Sequence, residues 1–152
     1  MSLTLADAIE RHILAQLAVA GEIAVQRVKL ARQYGCAPSQ INYVLATRFT
    51  PERGFLTESR RGGGGYIRVR RAAQPELSRI AAALRAQPDG IAQAPAHALI
   101  ARCRDAGLLT GREAAMLQAL TRREAIGLPL PARDVVRARC LASALLALSD
   151  EG

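Results

Sequence analysis

Four consecutive glycines, Gly62-Gly63-Gly64-Gly65, stand between two segments loaded with arginine, and no other stretch limits the fold of this chain so tightly. Before them, Phe55 to Arg61 can run as a strand. After them, Tyr66, Arg68 and Arg70 alternate with Ile67, Val69 and Arg71, the period of two that a half-buried strand needs. A hairpin with one oily and one basic face is expected. Glycine accepts positive φ at any turn position and carries no side chain, so the tip can approach another molecule's backbone closely, with guanidinium groups on either flank. That other molecule should be a polyanion. A flexible linker is the plain alternative, but linkers are flanked by polar, aperiodic sequence rather than by strand-like alternation. A nucleotide-phosphate loop is excluded, because no Lys-Ser or Lys-Thr follows the glycines and no helix opens there.

The charge is distributed unevenly. The chain has 152 residues, 50% of them apolar, and a net charge of +8, enough apolar sequence for one ordinary domain or two small ones. Residues 1–71 hold 11 Lys+Arg against 5 Asp+Glu, net +6, and residues 72–152 hold 10 against 8, net +2. All five aromatic residues (Tyr34, Tyr43, Phe49, Phe55 and Tyr66) also lie in the front part, while the back is rich in Ala, Leu and Arg. Two domains are expected, 1–73 and 74–152. Cys36, Cys103 and Cys140 are odd in number and widely spaced, which supports neither a disulfide framework nor a zinc site, and no metal or cofactor is expected. No signal sequence and no apolar run near the ~18 residues of a membrane span is seen, so no membrane partner and a cytoplasmic location are expected.

Taken in order, Thr4 with Asp7 three residues later marks a helix start, and Leu5, Ile9, Ile13 and Leu17 recur at four-residue spacing until Gly21. Val25, Val28, Leu30 and Ala31 suggest a second short helix ending at Tyr34-Gly35. Pro38 opens a third, through Phe49, with proline well placed at the first helical position. In that third helix Ile41, Val44 and Leu45 are expected inward. Ser39, Gln40, Asn42, Tyr43 and Arg48 are left outward, the residue types that bond bases and phosphates in a major groove. Helix, glycine turn, helix, then a basic hairpin is a winged helix-turn-helix arrangement. Arginine beside a slender glycine tip suits a narrow minor groove, where the negative potential is deepest.

Pro38-Ser39-Gln40-Ile41-Asn42-Tyr43-Val44, Thr47-Arg48-Phe49-Thr50, Glu52-Arg53-Gly54 and Glu58 through Arg68 closely resemble the CtsR family, repressors of class III stress genes in Gram-positive bacteria. The likeness continues more weakly through Leu109-Thr110, Arg112-Glu113-Ala114, Leu128-Pro129 and Arg133-Asp134 to Arg137-Ala138-Arg139. The resemblance implies a homodimer that binds tandem heptad-repeat operators upstream of Clp chaperone and protease genes and of its own operon, and lets go on heat stress. It implies that the wing-tip arginine, here Arg61, enters the minor groove and is a phosphorylation target of the protein-arginine kinase McsB, and that a Clp protease degrades the released repressor. Physics makes heat release plausible: ordering glycine backbone costs on the order of 1–2 kcal/mol per residue, a penalty that grows with temperature. Phosphorylating Arg61 would turn attraction to DNA phosphates into repulsion.

The back half begins after a linker, Ala72-Ala73-Gln74-Pro75. Helices are expected over Glu76 to Gln87, over Pro95 to Ala106, and after a capping box at Thr110–Glu113, and the chain ends in an oily helix from Asp134 to Leu148. That last helix reads as too apolar for a monomer's surface, which points to a dimerisation domain. His12 is expected to be a partly exposed structural residue, and His97, Cys103 and Cys140 are expected to fill the core rather than act as ligands.

The expected architecture is thus mainly α with one β-hairpin: a winged helix-turn-helix DNA-binding domain followed by an all-α dimerisation domain. The expected contacts to double-stranded DNA are Arg27, Lys29 and Arg48 on the backbone and Ser39, Gln40, Asn42 and Tyr43 on bases or phosphates. The wing adds Arg60, Arg61, Gly62, Gly63, Gly64, Gly65, Tyr66 and Arg68. An adaptor that docks an acidic protein and recruits a protease or chaperone is the alternative, and salt-insensitive binding without DNA sequence preference would favour it. An enzyme is not supported, since two isolated histidines and scattered carboxylates form no catalytic constellation.

Overall fold

A computed structural model describes residues 3–61 and 65–151. Residues Gly62, Gly63 and Gly64 of the expected wing lie outside the described residues. The chain packs as two units, 1–72 and 73–152.

In the first unit, Thr4 and Asp7 form the reciprocal cap expected of them. The Thr4 hydroxyl accepts from the Asp7 amide at 3.1 Å, and the Asp7 carboxylate accepts from the Thr4 amide at 3.0 Å. Two of the amides that a helix start leaves unpaired are thereby satisfied. Helix α1 (Leu5–Ala20) follows, burying Ile9, Ile13 and Leu17. It stops at Gly21, whose φ of 76° is in the left-handed region and whose amide returns to the Leu17 carbonyl.

The next segment departs from expectation. Glu22–Val25 is a strand, β1, and the second helix, α2, begins only at Arg27 and ends at Tyr34. Val25 is buried in that strand rather than in a helix, and Val28 is exposed. Helix α3 (Pro38–Arg48) buries Ile41, Val44 and Leu45. A 3-10 turn at Pro51–Arg53 then leads into β2 (Phe55–Arg60), and β3 (Tyr66–Arg71) returns from the wing.

The hairpin is thus two-thirds of a sheet. β3 pairs antiparallel with both β1 and β2, in the order β1-β3-β2, with Arg68 opposite Ala24 on one side and Glu58 on the other. Val69, fully buried on β3, joins Val25 and Phe55 in one core with the apolar faces of α1, α2 and α3. Phe49 and Phe55 meet edge to face, ring centroids 4.9 Å apart. Arg71, on the oily face, lays its guanidinium over the Phe55 ring at 5.0 Å.

The second unit is helical: α4 (Pro75–Arg85), α5 (Gln93–Asp105), α6 (Gly111–Leu120), a single turn α7 (Arg123–Ile126) that the sequence pattern does not reveal, and α8 (Ala132–Ser149). The Thr110–Glu113 capping box is present at α6. The oily last helix turns part of its apolar surface inward. Leu141, Ala142 and Leu145 of α8 are fully buried with Leu77 and Ala81 of α4 and Ile100 of α5 and build this unit's own core, while Val135, Val136, Leu146 and Leu148 are only partly buried. The large apolar side chains that do reach solvent in this unit, among the described residues, are Met116, Leu120, Leu128 and Leu130.

Arg137 is 1% exposed, yet its guanidinium is well satisfied. It donates to the Thr121 carbonyl (2.7 Å), the Ile91 carbonyl (2.9 Å) and the Asp134 carboxylate (2.6 Å), stitching the start of α8 to two loops. Gly90 must be glycine at this joint: its φ is 74°, and a Cβ there would collide with the Asp134 carbonyl. Cys103 is buried as expected, and burial pushes its thiol pKa up, whereas Cys140 is exposed and His97 only partly buried.

Candidate nucleic-acid interface

The interface is built outward from α3. Its inward residues fix the helix against the core, which leaves Ser39, Gln40, Asn42 and Tyr43 exposed, Tyr43 by 56%. Burying a side chain the size of Ile41 is worth roughly 1.5–3 kcal/mol, so the helix cannot rotate to exchange faces cheaply. Ala46 and Thr47 extend the outward surface, although the Thr47 hydroxyl is turned back to the Tyr43 carbonyl at 2.6 Å.

Helix α2 brings its first turn alongside. Arg27 is exposed and donates from Nη1 to the Asn42 side-chain oxygen at 3.2 Å. Lys29, also exposed, lines a shallow groove together with Gln26, Gln33 and Tyr66. Tyr66 is the first residue of β3, and His12 and Gln16 of α1 also line this groove, so it lies between α1, β1, α2 and the base of the wing.

The wing differs from the uniformly basic face expected. Glu22 and Glu58 stand on the same side of the sheet as Arg68 and Arg70, and they pair with the arginines. Arg68 meets Glu22; Glu58 lies 3.0 Å from Arg60 and 3.9 Å from Arg70. The charge along the strands is therefore partly neutralised. At the end of β2, by contrast, Arg61 is exposed and has no hydrogen-bond or ion-pair partner among the described residues.

Arg48 also departs from its expected role. Rather than pointing outward for a phosphate, its Nη1 binds Asp7 at 3.0 Å and Glu10 at 2.6 Å, bracing the end of α3 against α1. The Thr4 amide first, then the Arg48 side chain, hold the Asp7 carboxyl down to about 2, and both acidic partners raise the guanidinium of Arg48 further. No local pattern announces this brace, since its partners lie 41 and 38 residues earlier. The Arg27–Asn42 bond is equally hidden in the sequence.

Elsewhere, no group of three or more His, Cys, Asp or Glu that could hold a metal occurs among the described residues. No helix among them is long and apolar enough to cross a membrane.

A helix pair whose second member presents neutral hydrogen-bonding side chains, followed directly by a hairpin with a bare arginine at its end, defines a winged helix-turn-helix protein. Residues 4–73 match the family model described as the CtsR N-terminal HTH domain, and residues 81–146 match the CtsR C-terminal dimerization domain. The chain belongs to the CtsR family. The Transcriptional regulator CtsR of Staphylococcus haemolyticus (strain JCSC1435) is 37% identical over 140 residues, covering 90% of this chain and 92% of that protein. Its counterpart in Geobacillus stearothermophilus is 37% identical over 147 residues, covering 95% and 96%. Among solved structures, the chain is similar to that titled "Crystal structure of CtsR in complex with a 26bp DNA duplex", with 36% identity and a TM-score of 0.48 over 96% of this chain and 99% of that one.

Proposed function

We propose that this protein is a dimeric, sequence-specific DNA-binding repressor. Helix α3 enters the major groove with Ser39, Gln40, Asn42 and Tyr43 toward the bases, Arg27 and Lys29 grip phosphates, and the wing tip carries Arg61 into the neighbouring minor groove. The observation that carries this reading is the row of exposed, uncharged readers on α3, with Arg27 of α2 bonded to one of them, followed by a hairpin whose β2 strand leads into an exposed Arg61. Uncharged hydrogen-bonding side chains can read base edges, and cations hold the backbone phosphates. Arg48 is left out of the contact set and acts from behind as a brace, and Arg60 and Arg68 serve the wing chiefly through their pairs with Glu58 and Glu22.

Family membership supports the finer parts of the proposal: tandem heptad-repeat operators at heat-shock and Clp protease genes, release on heating, control through phosphorylation of Arg61 by an arginine kinase of the McsB type, and removal by a Clp protease. The C-terminal unit supplies the second copy. Because α8 spends Leu141, Ala142 and Leu145 internally, the contact between copies falls to the exposed side chains of Met116, Leu120, Leu128 and Leu130, with Met116 and Leu120 one turn apart on α6. Leu120→Glu should convert dimer to monomer in light scattering without loss of helical circular dichroism, and should lower operator affinity about 100-fold by removing the tethering of two readers.

The direct test is a gel shift on the promoter of the protein's own operon at low and raised temperature. The parent should bind with a steep salt dependence and let go below its melting temperature. Arg61→Ala should bind about tenfold more weakly. Equal affinity of parent and mutant would remove the wing from the interface.

A further inference from the structure

The side-chain amide of Asn42 is the one candidate base reader whose orientation the structure fixes. Its oxygen faces Nη1 of Arg27 at 3.2 Å. A guanidinium only donates, so the atom opposite it must be Oδ1, and Nδ2 must be the end turned away from α2. Paired recognition of adenine needs both ends of the amide at the base, the oxygen accepting from N6–H and the nitrogen donating to N7. With Oδ1 held toward α2, only the N–H donors are presented.

Resting on the repressor reading, the geometry points to Arg27 as a positioning residue that sets base specificity: it turns Asn42 into a donor-only reader, matched to guanine, whose edge offers the two acceptors O6 and N7, or to thymine O4, ahead of adenine, whose single acceptor N7 sits beside the N6–H donor. Arg27 suits this work because it sits in the first turn of α2, beside the exposed face of α3. Its remaining guanidinium donors are available to a phosphate, which ties the orientation of the amide to docking of the backbone. The pair is exposed, so neither residue supports the core.

The test uses the full-length protein. Duplexes selected from a random pool by the parent define its preferred site, and competition gel shifts with every single base-pair change then give a preference profile for the parent, Asn42→Ala, Arg27→Ala and the double variant. Thermal melts should be alike for all four. One position should prefer guanine or thymine over adenine at least about fivefold in the parent, and Asn42→Ala should flatten it. Arg27→Ala should weaken all duplexes by a common factor through the lost phosphate contact and, in addition, flatten that same position or shift it toward adenine. The double variant should then be no flatter there than Asn42→Ala alone.

A common factor with the profile intact would leave Arg27 as a phosphate contact only and overturn the proposal. So would an adenine preference at the Asn42 position in the parent. If the parent shows no preference among duplexes at all, the repressor reading itself falls, an outcome distinct from failure of the Arg27 assignment.

Discussion

The reading helix and the wing meet the same expected partner in opposite ways. On α3 the outward side chains at 39, 40, 42 and 43 are uncharged, and the cation beside them, Arg27, is shared between Asn42 and the exterior. Along the wing strands the outward side chains are mostly charged, but Glu22 and Glu58 occupy Arg60, Arg68 and Arg70, leaving Arg61 at the end to act. The contrast teaches that a count of arginines overstates how much of a surface can bind. A helix that must discriminate needs hydrogen-bond patterns, whereas a wing that must fit a slim groove needs one well-placed cation.

Changes on the two sides should accordingly differ in kind, and comparing them breaks or sharpens the contrast. Gln40→Ala should cost roughly 10- to 100-fold on the preferred duplex while leaving binding to unrelated DNA nearly unchanged, a difference that competition titrations would reveal. Arg61→Ala should cost about tenfold on every duplex and lessen the log–log salt slope by about one, because one phosphate neutralisation is lost. If Gln40→Ala behaved like Arg61→Ala, the division of labour would be wrong. Glu58→Gln should act in the other direction: releasing Arg60 from the carboxylate and removing one negative charge from the wing should tighten binding by a few-fold at low salt, with the gain fading as salt rises.

The smallest effect belongs to the brace behind the helix. Asp7 has its pKa lowered from 3.8 to about 2 in the folded chain. Its contribution to stability is therefore fully present above the unfolded value and lost as pH falls from about 4 through about 2. Denaturation of the front unit followed between pH 5 and pH 2 should show this decline, and Asp7→Asn should make it shallower while leaving DNA contacts at neutral pH largely intact.

What the sequence made legible was local. The Thr4 cap, the Pro38 helix start, the Ile41–Val44–Leu45 stripe and the alternation of β3 each depend on neighbours a few residues away, and each is where it was expected. What it hid depends on distant partners. Four residues, Glu22–Val25, carry too weak an alternation to announce a strand, and β1 exists because Ile23 finds Val69 across the sheet. Arg48 looked outward by helical spacing, but Asp7 and Glu10 claim it from α1. The oil on α8 was visible, yet hydrophobicity alone does not say whether a helix covers its own neighbours or a second copy. Here α4 and α5 are the answer for Leu141 and Leu145.

The central place of β3 has an engineering consequence. Because that strand is clamped by hydrogen bonds on both edges, and Val69 anchors it from beneath, pairing of β2 with β3 does not depend on how many residues join Arg61 to Gly65. Loop closure grows costlier only slowly with length, about 0.6 kcal/mol per doubling. Inserted residues should consequently be accepted there by the scaffold, making the tip a natural ruler: lengthening it one residue at a time would measure how deep the groove beneath it is.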